Sequence, residues 1–273
     1  MLIRHVDAFS DRPFGGNPAA VVVLEEAAFP TEAVMLAVAA ELNLSETAFV
    51  HALPPGGDAE WALRWFTPTT EVRMCGHATL AAAHVLRAAE GVEGTLRFAT
   101  LSGVLSALPA AGDALTLDFP TAPLREVAVG AGTAAALGAP VVRTFETGED
   151  VGDLLVELRD EAAVRGLEPD LQAVGRLPSR GVIVTAAADR PDGGYDFVSR
   201  FFGPAVGVPE DPVTGSAHTA LAPLWSARLG RSELTGYQAS ARGGSVRTEL
   251  RGERTLLTGH AVTVLESRLL VTP

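Results

Sequence analysis

Three short segments hold the residues best suited to chemistry. In Asn43-Leu-Ser-Glu-Thr-Ala-Phe-Val50, Glu46 stands at the entry to an apolar strand. Partial desolvation there would raise its pKa toward the range useful for proton transfer. Taken alone, the segment also suits a solvated turn glutamate. In CGHATLAAAHVL, from Cys75, His77 follows a glycine that opens an Ala/Leu-rich stretch, where a histidine serves either as a cap or as an acid–base group. In TGSAHTALAPLW, from Thr214, the residues Thr214, Ser216 and His218 cluster at a second start of the same kind. Asp211 lies just upstream, biased to extended backbone by Pro212.

Two helices that each begin after a glycine, at Gly76 and at Gly215, suggest an anion grip. A helix N-terminus carries unpaired N–H groups and partial positive charge. If both starts face one cleft, the amides near Gly76 and Gly215–Ser216 hold a substrate carboxylate with no lysine or arginine in reach.

The elements that must position these groups come in two copies. AEWALRWFTP (59–68) and YDFVSRFFGP (195–204) align at an offset of 136, matching Arg64 with Arg200, Phe66 with Phe202 and Pro68 with Pro204. After a three-residue length difference each copy runs into its glycine, with an acid, Glu71 or Asp211, ahead of it. An offset of half the chain is too long for a solenoid and indicates two similarly built lobes. Each copy predicts strand, turn and helix, the helices over 78–89 and 217–229, with Pro223 kinking or interrupting the second. Arg64 and Arg200 are expected to make lobe-symmetric structural ion pairs. A further helix over 31–42 starts behind Thr31 as N-cap. Strands are expected at 19–24, 47–51, 96–100, 104–108, 115–119, 154–158, 181–186, 245–250 and 261–265. The Pro-containing stretch 120–123 marks the boundary, giving an N-terminal lobe of 1–120 and a C-terminal lobe of 121–273 whose last strand can return to the first.

Composition narrows the classes. The 273 residues are 47% hydrophobic, with 21 Lys+Arg against 33 Asp+Glu, a formal net charge of −12. Such a surface repels phosphate backbones and anionic lipid, so neither nucleic acid nor membrane is an expected partner. No signal peptide or spanning segment is read, which makes the cytoplasm the expected location. One cysteine, Cys75, excludes an internal disulfide. It is expected to pack as a small hydrophobe. Ligand spacing for a metal is missing, and Gly15-Gly16-Asn17 lacks the lysine of a phosphate loop.

The segments VDAFSDRPFGGNPAAVVVL (6–24), NLSETAFV (43–50), RWFTPTTEVRMCGHATLAAAHVL (64–86), GVPEDPVTGSAHTAL (207–221) and QASARGGSVRTEL (238–250) resemble the PhzF-like, phenazine-biosynthesis family. The resemblance implies an α+β fold of diaminopimelate epimerase type: two pseudo-symmetric lobes, each a curved, mostly antiparallel sheet around a central helix, with the active site between them. It implies a cofactor-independent isomerase acting on a small carboxylate-bearing substrate, similar to trans-2,3-dihydro-3-hydroxyanthranilate isomerase. The family's proton-shuttling glutamate falls on Glu46, its histidine on His77 and its aspartate before proline on Asp211. Its Gly-Ser helix start falls on Gly215 and Ser216, and a conformationally or substrate-important asparagine falls on Asn17. Related racemases use two cysteines at the two helix starts; here the second position is Thr214, so a two-thiol mechanism is unavailable. An epimerase using Glu46 with another base, and a non-catalytic anion-binding protein on the same scaffold, are the alternatives. A homodimer is the expected assembly.

Overall fold

The computed structural model describes residues 1–190 and 193–270. In chain order the strands are β1 (Leu2–Ala8), β2 (Asn17–Val23), β3 (Glu46–Ala52), β4 (Trp61–Phe66), β5 (Glu71–Val72), β6 (Leu96–Thr100), β7 (Gly103–Pro109), β8 (Leu115–Pro120), β9 (Arg125–Val127), β10 (Arg143–Glu146), β11 (Leu154–Glu157), β12 (Val182–Ala187), β13 (Phe197–Gly203), β14 (Val208–Asp211), β15 (Glu233–Gln238), β16 (Gly244–Arg251), β17 (Arg254–Gly259) and β18 (Ala261–Arg268). The helices are α1 (Glu32–Leu42), α2 (Gly76–Ala88), α3 (Thr133–Leu137), α4 (Glu161–Arg165), α5 (Leu171–Val174) and α6 (Gly215–Leu229). The fold class is α+β. The chain divides into two compact units, Met1–Asp118 with the stretch from Thr258 onward, and Phe119–Leu257. The stretch from Thr258 therefore groups with the first unit rather than the C-terminal lobe, because β18 pairs along the whole of β1.

In the first unit the strands lie in the order β18-β1-β2-β3-β4-β6-β7-β8, with β5 on the end of β4. Pairs are antiparallel except β2/β3 and β4/β6. A parallel pair needs a crossover, which α1 and α2 supply. Thr31 caps α1 by accepting from the Val34 amide, and Asn43 ends it in left-handed conformation (φ 49). The face of α1 carrying Met35 and Val38 packs on Phe49 and Phe66. Almost every residue of α2 from His77 to Leu86 is buried. A helix apolar on every side belongs inside, and its alanines let it lie close against β1, β2 and β3.

The second unit repeats the plan. Its order is β9-β10-β11-β12-β13-β15-β16, with β14 on β13, and β11/β12 and β13/β15 are parallel. Side-chain alternation along β12 serves two cores. Ile183 joins Phe197, Phe201, Leu221 and Trp225 around α6, whereas Val182 and Val184 join Leu137, Val164 and Val174 of the short helices.

The two repeat copies adopt the same element order, long strand, short strand, helix. Arg64 grips Glu71 through two hydrogen bonds of 2.7 Å, and Arg200 grips Glu210 at 2.7 and 2.9 Å. The partner of Glu71 in the repeat is therefore Glu210, not Asp211 as its place before the glycine suggested. Both helices also begin at the glycines themselves, two residues earlier than expected. Pro223 does not interrupt α6. The carbonyl of Thr219, which Pro223 cannot reach with an N–H, instead accepts from the Ala122 amide at 3.2 Å. Among the described residues no helix is long and apolar enough to cross a membrane.

Candidate active site

In the first unit the site begins with a turn. Gly16 has φ +63, and a Cβ there would lie 2.1 Å from the Ala8 carbonyl oxygen, so only glycine fits. That turn sets Asn17 at the head of β2, fully buried. The parallel register Ala19↔Glu46 brings the head of β2 beside the head of β3. There the Ser45 hydroxyl donates to Asn17 Oδ1 at 3.2 Å, and Asn17 Nδ2 meets His77 Nδ1 at 3.1 Å. With the amide turned this way, Nδ1 is the acceptor and the neutral ring carries its proton on Nε2.

His77 Nε2 lies 3.0 Å from Glu46 Oε2. The contact is off the line of a hydrogen bond, and this buried carboxylate oxygen has no aligned donor. A buried, unsatisfied carboxylate oxygen is costly. Glu46 keeps 15% of its side-chain surface open.

The Cys75 sulfur lies 3.5 Å from Nδ1 and 4.0 Å from Nε2 of His77. Burial pushes the thiol pKa up and the Glu46 carboxylate adds to this, against an opposing pull from His77. Cys75 is therefore a thiol at neutral pH. Burial pulls His77 down; the Cys75 sulfur would pull it up only when ionised, so with Cys75 a thiol the Glu46 carboxylate is the remaining upward pull. A second ring proton would enter at Nδ1, against the Asn17 amide nitrogen, and would require that amide to turn.

Glu46, Cys75 and His77 offer three possible metal donors within 4.8 Å of one another, a grouping that sequence spacing did not suggest. The sulfur is almost equidistant from the two ring nitrogens, so it lies on the lone-pair axis of neither. A tetrahedral ion, with bonds of about 2.0–2.3 Å, would need the ring to turn.

The second unit's helix start is built differently. Asp211, half-buried at the end of β14, accepts from the Thr214 hydroxyl. Gln238, fully buried at the end of β15, accepts from the Thr214 amide at 2.9 Å and donates to the Asp211 carbonyl at 2.8 Å. Sequence reasoning missed Gln238. It opens one of the quoted motif segments, but nothing in that segment says where its side chain goes. Ser216 Oγ accepts from Arg180 Nη2 at 3.1 Å, and Arg180 is paired with buried Asp153 at 2.7 Å. An arginine therefore does stand at this helix start, contrary to expectation.

His218 is fully buried and donates from Nδ1 to the Thr214 carbonyl at 2.8 Å. Burial pushes its pKa down to about 4, so the ring is neutral at pH 7. Thr79 holds the same place in α2 and donates to the Cys75 carbonyl at 2.6 Å. Neither Cys75 nor Thr214 gives its helix a side-chain cap, which leaves the first-turn amides available to an anion. In sum, Asn17, Glu46, Gly76 and His77 come together in the first unit, and Asp211, Gly215 and Ser216 in the second.

The family profile described as phenazine biosynthesis-like protein, PhzC-PhzF, matches residues 6–267. A Pseudomonas aeruginosa protein named as an uncharacterized isomerase is 49% identical over 267 residues, covering 97% of each chain. A crystal structure from Enterococcus faecalis, titled as a PhzF-family phenazine biosynthesis protein, superposes with a TM-score of 0.90 at 40% identity, covering 99% of each chain. A hydroxyproline epimerase from Agrobacterium vitis shares the fold, with a TM-score of 0.62 at 12% identity and coverage of 98% of this chain and 91% of that one.

Proposed function

Because the chain belongs to the PhzC-PhzF family of phenazine biosynthesis-like proteins, we propose that it is a cofactor-independent isomerase moving a proton on a small carboxylate-bearing substrate. Glu46 removes a proton from an activated carbon and returns it to another position of the same molecule. His77, with its ring proton on Nε2, donates a hydrogen bond to the substrate as charge shifts. Asp211 positions the substrate, whose carboxylate takes uncapped helix-start amides. The reading extends to a cytoplasmic homodimer without nucleic-acid or membrane partners, and to a substrate similar to trans-2,3-dihydro-3-hydroxyanthranilate.

The observation that carries this reading is the buried Glu46 oxygen, 3.0 Å from His77 Nε2 and without an aligned donor. A single cysteine in the chain leaves no second thiol for a racemase of the two-cysteine kind. Glu46→Gln tests the reading, because it keeps the shape and removes the base. Turnover of trans-2,3-dihydro-3-hydroxyanthranilate should fall by roughly 10²–10⁴, with KM little changed. Turnover at the wild-type rate would refute the carboxylate mechanism.

A further inference from the structure

We infer that Gln238 and Thr214 form a positioning relay that fixes Asp211 as a hydrogen-bond acceptor toward the substrate. The inference rests on the role proposed above for Asp211.

The orientation of the Gln238 amide is over-determined. The Thr214 N–H can only donate, so the Gln238 atom 2.9 Å from it is Oε1. The Asp211 carbonyl can only accept, so the atom 2.8 Å from it is Nε2. Two backbone groups of opposite polarity therefore agree on one amide orientation. Nε2 also lies 3.1 Å from Thr214 Oγ1, and with the amide so turned it must donate there. The hydroxyl has one proton and two acceptor sites. With Nε2 taking an acceptor site, the proton goes to Asp211 Oδ2, the short contact of the cluster. The relay runs Gln238 N–H to Thr214 O, then Thr214 O–H to Asp211.

Three further facts fit a device rather than a chance brace. Gln238 has no exposed surface, and burying a carboxamide is unfavourable unless its groups are satisfied. Its neighbour segment is tied to the same turn, since Ser240 Oγ donates to the Pro212 carbonyl at 2.8 Å. The repeat also makes Thr214 the counterpart of Cys75. A thiol is a weak donor, so the change to threonine supplies the strong donor that the relay requires. Asp211 then keeps one orientation, with Oδ2 committed to Thr214.

The test uses Gln238→Leu, Thr214→Val, Thr214→Ser, the double variant Q238L/T214V, and Asp211→Asn. With trans-2,3-dihydro-3-hydroxyanthranilate as probe, Q238L and T214V should each lose about tenfold in kcat, with KM moving less than about twofold. The double variant should be no worse than the poorer single one, because the two groups act in series. Thr214→Ser should stay within about threefold of wild type. Additive losses, or wild-type kcat in Q238L, would overturn the relay. An arm without substrate decides the matter if the probe is not turned over or Q238L does not fold. In the ¹⁵N-labelled protein, Asp211→Asn should shift the Gln238 side-chain amide resonances. In a Thr214→Val background that shift should shrink by at least half, and in Thr214→Ser it should persist. An equal shift in all backgrounds would overturn the relay. Glu46→Gln separates the two claims: full turnover there refutes the isomerase mechanism and leaves the NMR result to judge the relay. A dead E46Q beside an unimpaired Q238L refutes the relay alone.

Discussion

The His218 imidazole reaches back one helical turn to donate to the Thr214 carbonyl at 2.8 Å, with its other nitrogen buried and unpartnered. A ring so placed must stay neutral, which ties stability to acid. Its pKa is about 4 in the folded chain against an ordinary 6.5. The unfolded chain takes up a proton first, so the contribution is whole above pH 6.5 and is lost as pH falls toward 4. The difference amounts to about 3 kcal/mol. Urea midpoints of wild type should drop across that window, and His218→Gln should flatten the drop. An unchanged slope in the variant would assign the acid sensitivity elsewhere.

Asn17 sets the tautomer of His77, so its replacement should act on chemistry more than on binding. Asn17→Leu removes the partner of Nδ1 and should lower kcat by about tenfold, with a stability loss of about 1–3 kcal/mol. Asn17→Asp should be worse. A carboxylate beside Nδ1 draws the ring proton there and turns the Nε2 lone pair toward the Glu46 oxygen. Equal kcat for wild type and Asn17→Asp would show that the tautomer is irrelevant.

Cys75 is held as a buried thiol, so Cys75→Ala should cost about 1 kcal/mol or less in stability and leave turnover within about threefold. Native protein should react with a thiol reagent far more slowly than unfolded protein. A Cys75→Ala variant without activity, beside an active Glu46→Gln, would make the thiol the base.

The two arginine clamps are not energetically equal. Arg200 also donates to the Leu167 carbonyl at 2.6 Å and covers the Phe202 ring, with the guanidinium carbon 4.8 Å from the centroid. Arg64 also lies over the Phe66 and Phe29 rings, at 5.3 and 5.6 Å, but in place of a backbone carbonyl it has a second, longer ion pair of 3.5 Å to exposed Glu32. Arg200→Met should therefore destabilise by about 2 kcal/mol or more and Arg64→Met by about half as much, read from urea midpoints. The reverse order would refute the assignment.

Much of this protein is legible without coordinates because its signals are local. The repeat shows in the arginine and aromatic spacing of 61–66 and 197–202, and the glycines at 76 and 215 announce helix starts. The Thr31 cap and most strand positions follow from hydrophobic pattern and turn residues. Glu46 and His77 stand out by their settings and by the resemblance. Three-dimensional packing decided the remainder. The β2/β3 register, not any motif, puts Asn17 on His77, and so selects the ring tautomer. The bidentate grip of Arg200 chose Glu210 over Asp211 as the mate of Glu71, which a count of residues before the glycine cannot do. Gln238, Arg180 and the pairing of β18 with β1 lie 24, 36 and 260 or so residues from their partners. Hydrogen bonds of that span depend on where a whole sheet carries each side chain, and nothing in the neighbouring residues encodes them.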